Sequence, residues 1–351
     1  MIRKFRIILI IFFLFIGGCS EGPDDSGIFT KTKETPILST EMQVVVSKTS
    51  TALVQISTST RKITPNPVIS PFPKEVAPVR SETPFIFELT TGVHNFFPLV
   101  QSPFGSTYLQ TIDNSYPYGS TQNNERVAHD GVEIYNAHGT PVLAAQSGTV
   151  FFAGNDLEKQ WGRYKNFYGN MIILRHNNST TGDQFFTLYA HLSEILVKEN
   201  QIVNIGQQIG KVGDSGGATG SHLHFEIRVN QPLLENTINP ELYLDFNYSE
   251  DRNKSGFLTG QVIDQNGNYL SENPISIQPL IGEEIDQTKI PRFIQTYTAG
   301  MPEISYWKEN FALRNLPAGD YRVSTYTNGI FLEKFITIEP GMLTYLILQP
   351  E

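Results

Sequence analysis

Five residues in two short motifs and the stretch between them carry the side chains that a metal centre needs. The first motif is His129-Asp130-Gly131-Val132-Glu133, and the second is Ser221-His222-Leu223-His224-Phe225-Glu226. His191 lies between them in Tyr189-Ala190-His191-Leu192. The chain has 351 residues and seven histidines, so the grouping of His129, His191, His222 and His224 in these segments is a concentration. Imidazole and carboxylate groups are ligands of catalytic zinc, where three protein ligands leave one position open for water. The chemistry such a set could perform is metal-assisted hydrolysis.

The elements that carry these residues must bring them together. His129 and Glu133 have the spacing of one helical face, but Gly131 breaks a helix, Val132, Ile134 and Tyr135 favour a strand, and Gly139 and Pro141 follow closely. On a straight strand the same spacing separates the two backbones by about 13 Å, too far for one ion. A bend or bulge at Gly131 resolves this, because glycine tolerates the dihedrals required. His222 and His224 alternate with Leu223, Phe225 and Ile227. That period of two predicts a strand with histidines on one face, Glu226 further along that face, and core residues on the other. His191 ends another predicted strand and is a candidate base or oxyanion stabiliser beside the two motifs.

Taken together, these segments resemble the lysostaphin-type (LytM-like) zinc endopeptidases of bacterial peptidoglycan. The family pattern runs H-x-G-x-D, then Y-A-H-L, a glycine-rich loop and H-L-H-F. This chain supplies each part in order, with residues 213–220 as the loop. Gly139-Thr140-Pro141-Val142, Gly148-Thr149-Val150, Tyr168-Gly169-Asn170 and Gly206-Gln207 match as well. The resemblance covers about residues 128–244. It implies one zinc ion held by His129, Glu133 and His224, with His191 and His222 assisting the water and the developing oxyanion. The implied reaction is hydrolysis of peptide bonds in stem or cross-bridge peptides. One position departs from the pattern: Glu133 stands where the family carries Asp. Glutamate also ligates zinc but is one methylene longer, so its backbone must sit slightly further back.

The remaining sequence predicts an all-β protein. Residues 140–145, 148–153, 171–175, 185–191 and 201–212 read as strands with Gly and Pro punctuation, and 193–198 as at most one or two helical turns. These lie in a catalytic domain spanning 128–248, an antiparallel β-sheet fold by the resemblance. Residues 155–170 form a longer loop with Trp161, Tyr164, Phe167 and Tyr168. That loop either walls the substrate groove through Trp161 or packs on its own core. His138 and His176 read as surface or structural, and His94 has no assigned role. A second β domain spans 256–351. Its Asn315-Leu316-Pro317-Ala318-Gly319-Asp320-Tyr321-Arg322-Val323 segment resembles carboxypeptidase-regulatory-like, transthyretin-like β-sandwich modules. That resemblance implies a binding or spacer role and no chemistry. Residues 83–127 regain aromatic residues and read as a lead-in packing on the catalytic domain.

The N-terminus reads as targeting. Arg3, Lys4 and Arg6 precede an apolar run over 7–16, then Gly17-Gly18-Cys19. The run is short for a membrane span and has signal-peptide length. Cys19 is the only cysteine, and its setting resembles a bacterial lipobox, which implies removal of 1–18, lipidation of Cys19 and an extracytoplasmic, membrane-anchored enzyme. Residues 19–82, rich in Ser, Thr and Pro, read as a disordered tether. As coil it would reach about 45 Å on average. The net charge of −9 grows more negative once the basic leader is gone, which excludes nucleic acid as a partner and leaves peptidoglycan peptides. Three functional readings follow: a zinc metalloendopeptidase, an inactive domain of the same fold that binds wall or regulates a wall hydrolase, and a scaffold lipoprotein working through its C-terminal domain.

Overall fold

Short apolar–polar alternations separated by glycine and asparagine turns give a chain of strands. The computed structural model describes residues 89–177, 183–245 and 253–351, and the helical elements bounded within these are single 3-10 turns, Leu234–Asn236 and Pro240–Leu242. The leader, Cys19, the tether, Phe85 and Phe87 lie outside the described residues.

The sheet that carries the two motifs is antiparallel. Its order is Thr237–Ile238, Leu223–Val229, Gln184–Ala190, Asn170–Asn177, Gly148–Asn155 and Ile202–Val203. The short strand Val132–Ile134 joins Leu223–Val229 on the edge it also shares with Thr237–Ile238. A smaller sheet of Pro141–Leu143, Gln208–Val212 and Leu192–Ile195 contributes Val142, Ile209, Val212 and Leu192 to the same core as Leu223, Phe225, Ile227, Ile172 and Leu174. Leu192–Ile195 is therefore a strand where helical turns were predicted over 193–198. Its pairing with Gln208–Val212 outweighs the weak local helix preference.

The C-terminal region builds two further sheets. One orders Gly92–His94, Leu343–Leu348, Ser255–Val262 and Phe311–Pro317, and the other is centred on Pro274–Ile281, Gly319–Thr327 and Ile330–Ile338. They share a core of Leu258, Phe311 and Leu346 with Ile277, Val323 and Ile338. Tyr321, Val323 and Thr325 point inward in alternation.

Residues of the lead-in serve both regions. Gly92–His94 is an edge strand of the C-terminal sheet, whereas Val100–Gln101 pairs with Leu244–Asp245. Phe96 stacks on Phe257 at 4.2 Å between ring centres, and both belong to the core under the motif-bearing sheet. Ser81–Glu351 accordingly forms one compact unit. Phe257→Ala should cost about 3–5 kcal/mol, because it leaves a cavity in a core shared by both regions. Denaturant unfolding followed by tryptophan fluorescence should show one transition shifted to lower denaturant, with no separate transition for the C-terminal sheets.

Candidate metal centre

The register of the central strand sets the site. His224 is opposite Glu133 on one side and Ala190, the residue before His191, on the other. Three separated segments thus meet at one rung of the sheet. Along that strand Leu223, Phe225 and Ile227 enter the core, while His224, Glu226 and Arg228 are buried on the opposite face. The chain bends at Gly131. A Cβ there would lie 2.6 Å from the Phe225 carbonyl oxygen and 2.8 Å from His224 Nε2. The glycine is needed for close approach to the central strand; its φ is not in the left-handed region.

Three atoms converge at this rung. Glu133 Oε1 is 3.0 Å from His129 Nε2 and 3.0 Å from His224 Nδ1, and the two nitrogens are 3.3 Å apart. The protons of both rings are committed elsewhere. His129 Nδ1 donates to the Tyr116 carbonyl at 2.6 Å, and the Tyr116 ring stacks on the imidazole at 4.2 Å. His224 Nε2 donates to Glu226 Oε1 at 3.0 Å. Each ring has its second nitrogen beside the Glu133 oxygen, where it can offer a lone pair to a cation or carry a second proton. Burial opposes charge on His224, but Glu133 and Glu226 raise its pKa to about 10. Ligands about 2.0–2.1 Å from a tetrahedral ion stand roughly 3.3 Å from one another, so the set fits a small divalent metal.

A buried charge network holds His224. Glu226 accepts from Arg228 Nε at 2.7 Å and also from the Tyr168 hydroxyl. Arg228 is itself fully buried and donates to the carbonyls of Trp161 and Pro232 and to Tyr168. Burial works to raise the Glu226 carboxyl, but Arg228 and His224 overcome it and bring its pKa down to about 2. Burial likewise opposes ionisation of Glu133, and His224, His129 and His222 hold it well below the usual carboxylate range. Beside His129, the buried Asp130 makes a two-pronged contact with Arg163, at 2.7 Å to Nε and 2.6 Å to Nη2.

The two remaining histidines flank the convergence point. Their rings are 4.8 Å apart, and the His191 ring is 5.8 Å from that of His224. His191 adopts a left-handed backbone, φ 60°, a costly conformation for a non-glycine residue. Its Nδ1 donates to the Ser215 carbonyl in the glycine-rich loop, and His222 Nδ1 donates to the Gly220 carbonyl. Burial, with His224 and His222 nearby, pushes His191 down to about 3, so it is neutral at physiological pH. His222 Nε2 is 3.0 Å from Glu133 Oε2, although that oxygen makes no hydrogen bond of good geometry.

Residues 127–240 match the sequence profile of peptidase family M23. This stretch is an M23 peptidase domain. It is 37% identical over 114 residues to "Murein hydrolase activator NlpD" of Escherichia coli (strain K12), covering 32% of this chain and 25% of that protein. It is 39% identical over 106 residues to "DD-carboxypeptidase/endopeptidase Mpg" of Neisseria meningitidis, covering 30% and 21%. Among solved structures, the catalytic domain of lysostaphin from Staphylococcus simulans is 30% identical, with 42% of this chain and 86% of that one covered and a TM-score of 0.29. The chain spans only 14–25% of the length of the first curated relatives it matches.

Within the M23 domain, the structure brings together all five expected residues. It assigns the 155–170 loop differently from the groove-wall expectation. Trp161 is buried with Met171, Ile173, Phe186 and Leu188, and Tyr164 is the exposed aromatic. His176 is structural, bonded to Ser147 and Thr187, and His138 is exposed. Sequence reading missed Tyr116, Arg163, Tyr168 and Arg228. Two of them left a signal: Tyr168 lies in the matching Tyr168-Gly169-Asn170 segment, and Arg228 is the next same-face residue after Glu226. Arg228→Met should destabilise the fold by about 3–5 kcal/mol, since it strands the Glu226 charge in the interior. Adding Glu226→Gln should recover part of that loss, and urea titration of the single and double variants measures the coupling.

Proposed function

We propose that the M23 domain is a zinc metalloendopeptidase that hydrolyses peptide bonds in peptidoglycan stem or cross-bridge peptides. The observation that carries this reading is the convergence of His129 Nε2, Glu133 Oε1 and His224 Nδ1 with both imidazole protons held elsewhere. His129, Glu133 and His224 would hold the ion. Bound zinc supplies Lewis acidity to a water and to the scissile carbonyl. His191 enters as a neutral imidazole with Nδ1–H on Ser215, so its Nε2 can take a proton from the attacking water. His222 lies on the same side and, with a proton on Nε2 as well as on Nδ1, would donate to the developing oxyanion, while His191 would pass the proton taken from the water to the departing amine. Peptidoglycan as substrate rests on the relatives, whose names refer to murein hydrolysis and to a carboxypeptidase/endopeptidase. An extracytoplasmic site with a lipid anchor at Cys19 fits the lipobox-like leader, and "Outer membrane antigenic lipoprotein B" of Haemophilus influenzae is 43% identical over 98 residues.

A second reading is a regulator of another wall hydrolase, as the name of the Escherichia coli relative says of that protein. Retention of all three acceptors and of both flanking histidines favours the enzyme.

Purified protein should retain one zinc per chain by elemental analysis and release soluble peptides from isolated muropeptides. His224→Ala should lose both properties, and an undiminished cleavage rate in that variant would refute the proposal. Glu133 supplies a separate test. Glu133→Asp should keep zinc and measurable cleavage, whereas Glu133→Ala should lose both; equal activity in the two would remove Glu133 from the ligand set.

A further inference from the structure

We propose that Tyr297 and Thr298, which belong to the C-terminal β region, are positioning residues for the metal ligand His129. The inference rests on the zinc reading above, and it gives the C-terminal region a role in the metal site without contributing a ligand.

His129 is held by a strap, residues 116–121. The Tyr116 carbonyl takes its Nδ1 proton and the Tyr116 ring covers its face. Gly119 N–H donates to the His129 carbonyl at 2.8 Å, and His129 N–H donates to the Ser120 carbonyl at 3.0 Å. Backbone, ring plane and tautomer of this histidine are thus all set by the strap. The segment that follows has little regular structure of its own. Residues 122–125 are turn, and Gln122, Asn123 and Asn124 all have positive φ.

The C-terminal region grips the strap from its other side. Thr298 N–H donates to the Gly119 carbonyl at 2.8 Å. Gly119 therefore spends its N–H on His129 and its C=O on Thr298. It has φ +76°, and a Cβ there would lie 2.6 Å from the Tyr297 ring, so the ring is seated directly on the glycine. Tyr118 meets the same ring edge-on at 5.2 Å, and Thr121 Oγ1 donates to Glu272 Oε1 at 2.7 Å. Tyr297 is in turn anchored. Its N–H donates to the Asn310 carbonyl at 2.7 Å, and its hydroxyl accepts from Asn239 Nδ2 at 2.8 Å. Two hydrogen bonds and one ring contact thus connect the C-terminal β region to a metal ligand across a single glycine.

Zinc affinity, measured by competition with a chromophoric chelator, and the visible spectrum of the Co²⁺-loaded full-length protein test this without reference to catalysis. Tyr297→Ala should weaken zinc binding about tenfold or more, the size of effect seen when groups that orient a ligand are removed. It should also alter the Co²⁺ bands. Tyr297→Phe keeps the ring on Gly119 and should restore both readouts. Phe335→Ala, at an exposed site of the same region, should change neither. Wild-type affinity and spectrum in Tyr297→Ala would overturn the inference while leaving the zinc reading intact. A wild-type protein that binds no zinc would overturn that reading and the inference with it. Should Tyr297→Ala fail to fold, Thr121→Val removes the outer grip on the strap, and unchanged zinc affinity there would be equally fatal.

Discussion

A histidine can ligate a cation only through a nitrogen that carries no proton, so the fold must decide, ring by ring, which nitrogen keeps its hydrogen. Here each decision is made by a fixed acceptor. His129, His191 and His222 give Nδ1–H to the carbonyls of Tyr116, Ser215 and Gly220. His224 is the reverse case. For it to present Nδ1 to a cation, its Nε2–H needs an acceptor on the far side of the ring, deep in the sheet. Glu226, two residues along the same strand face, provides it. From that single requirement follows much of the surrounding architecture.

A carboxylate in the interior is costly unless it is paired and hydrogen-bonded. Glu226 therefore requires Arg228, the next residue on that face, and Arg228 requires acceptors for its remaining donors. It finds them in the carbonyls of Trp161 and Pro232 and in Tyr168. Trp161 and Tyr168 both belong to the 155–170 loop, which explains why that loop is packed down as core. The same loop sends Arg163 to Asp130 beside His129. A buried ion pair is often no more stable than well-packed apolar residues. Its presence here is explained by the orientation of His224 and not by fold stability.

The side chains that could do chemistry were legible in the sequence because their types are rare and their spacings match a bent strand end and a period-two strand. Their supports were harder to read. Tyr116 and Ser215 act through main-chain carbonyls, which every residue has, so no residue type marks them. Gly131 was noticed for its dihedral freedom, yet its function is to let the Phe225 carbonyl and the His224 ring come close. That depends on strand register, a long-range property. Trp161 looked like a candidate groove wall because aromatic residues serve both surfaces and cores; burial in an apolar cluster decided between them. Composition also suggested a break near residue 250. It could not reveal that Gly92–His94 joins the C-terminal sheet or that Phe96 stacks on Phe257 across that break.

Glu133 is where these constraints meet. Its Oε1 is equidistant from His129 Nε2 and His224 Nδ1, and its Oε2 lies 3.0 Å from His222 Nε2. One carboxylate therefore lies against three imidazoles, bonding two of them through Oε1 and approaching the third through Oε2 without a hydrogen bond of good geometry. An aspartate on the same backbone would draw both oxygens back by one methylene and could not keep all three contacts without movement of the Val132–Ile134 strand. That strand is fixed by its pairing with Leu223–Val229 and by the burial of Val132 and Ile134. The longer side chain is thus matched to where this backbone lies, because its extra methylene carries the carboxylate from a strand fixed by pairing to the rung of His129 and His224.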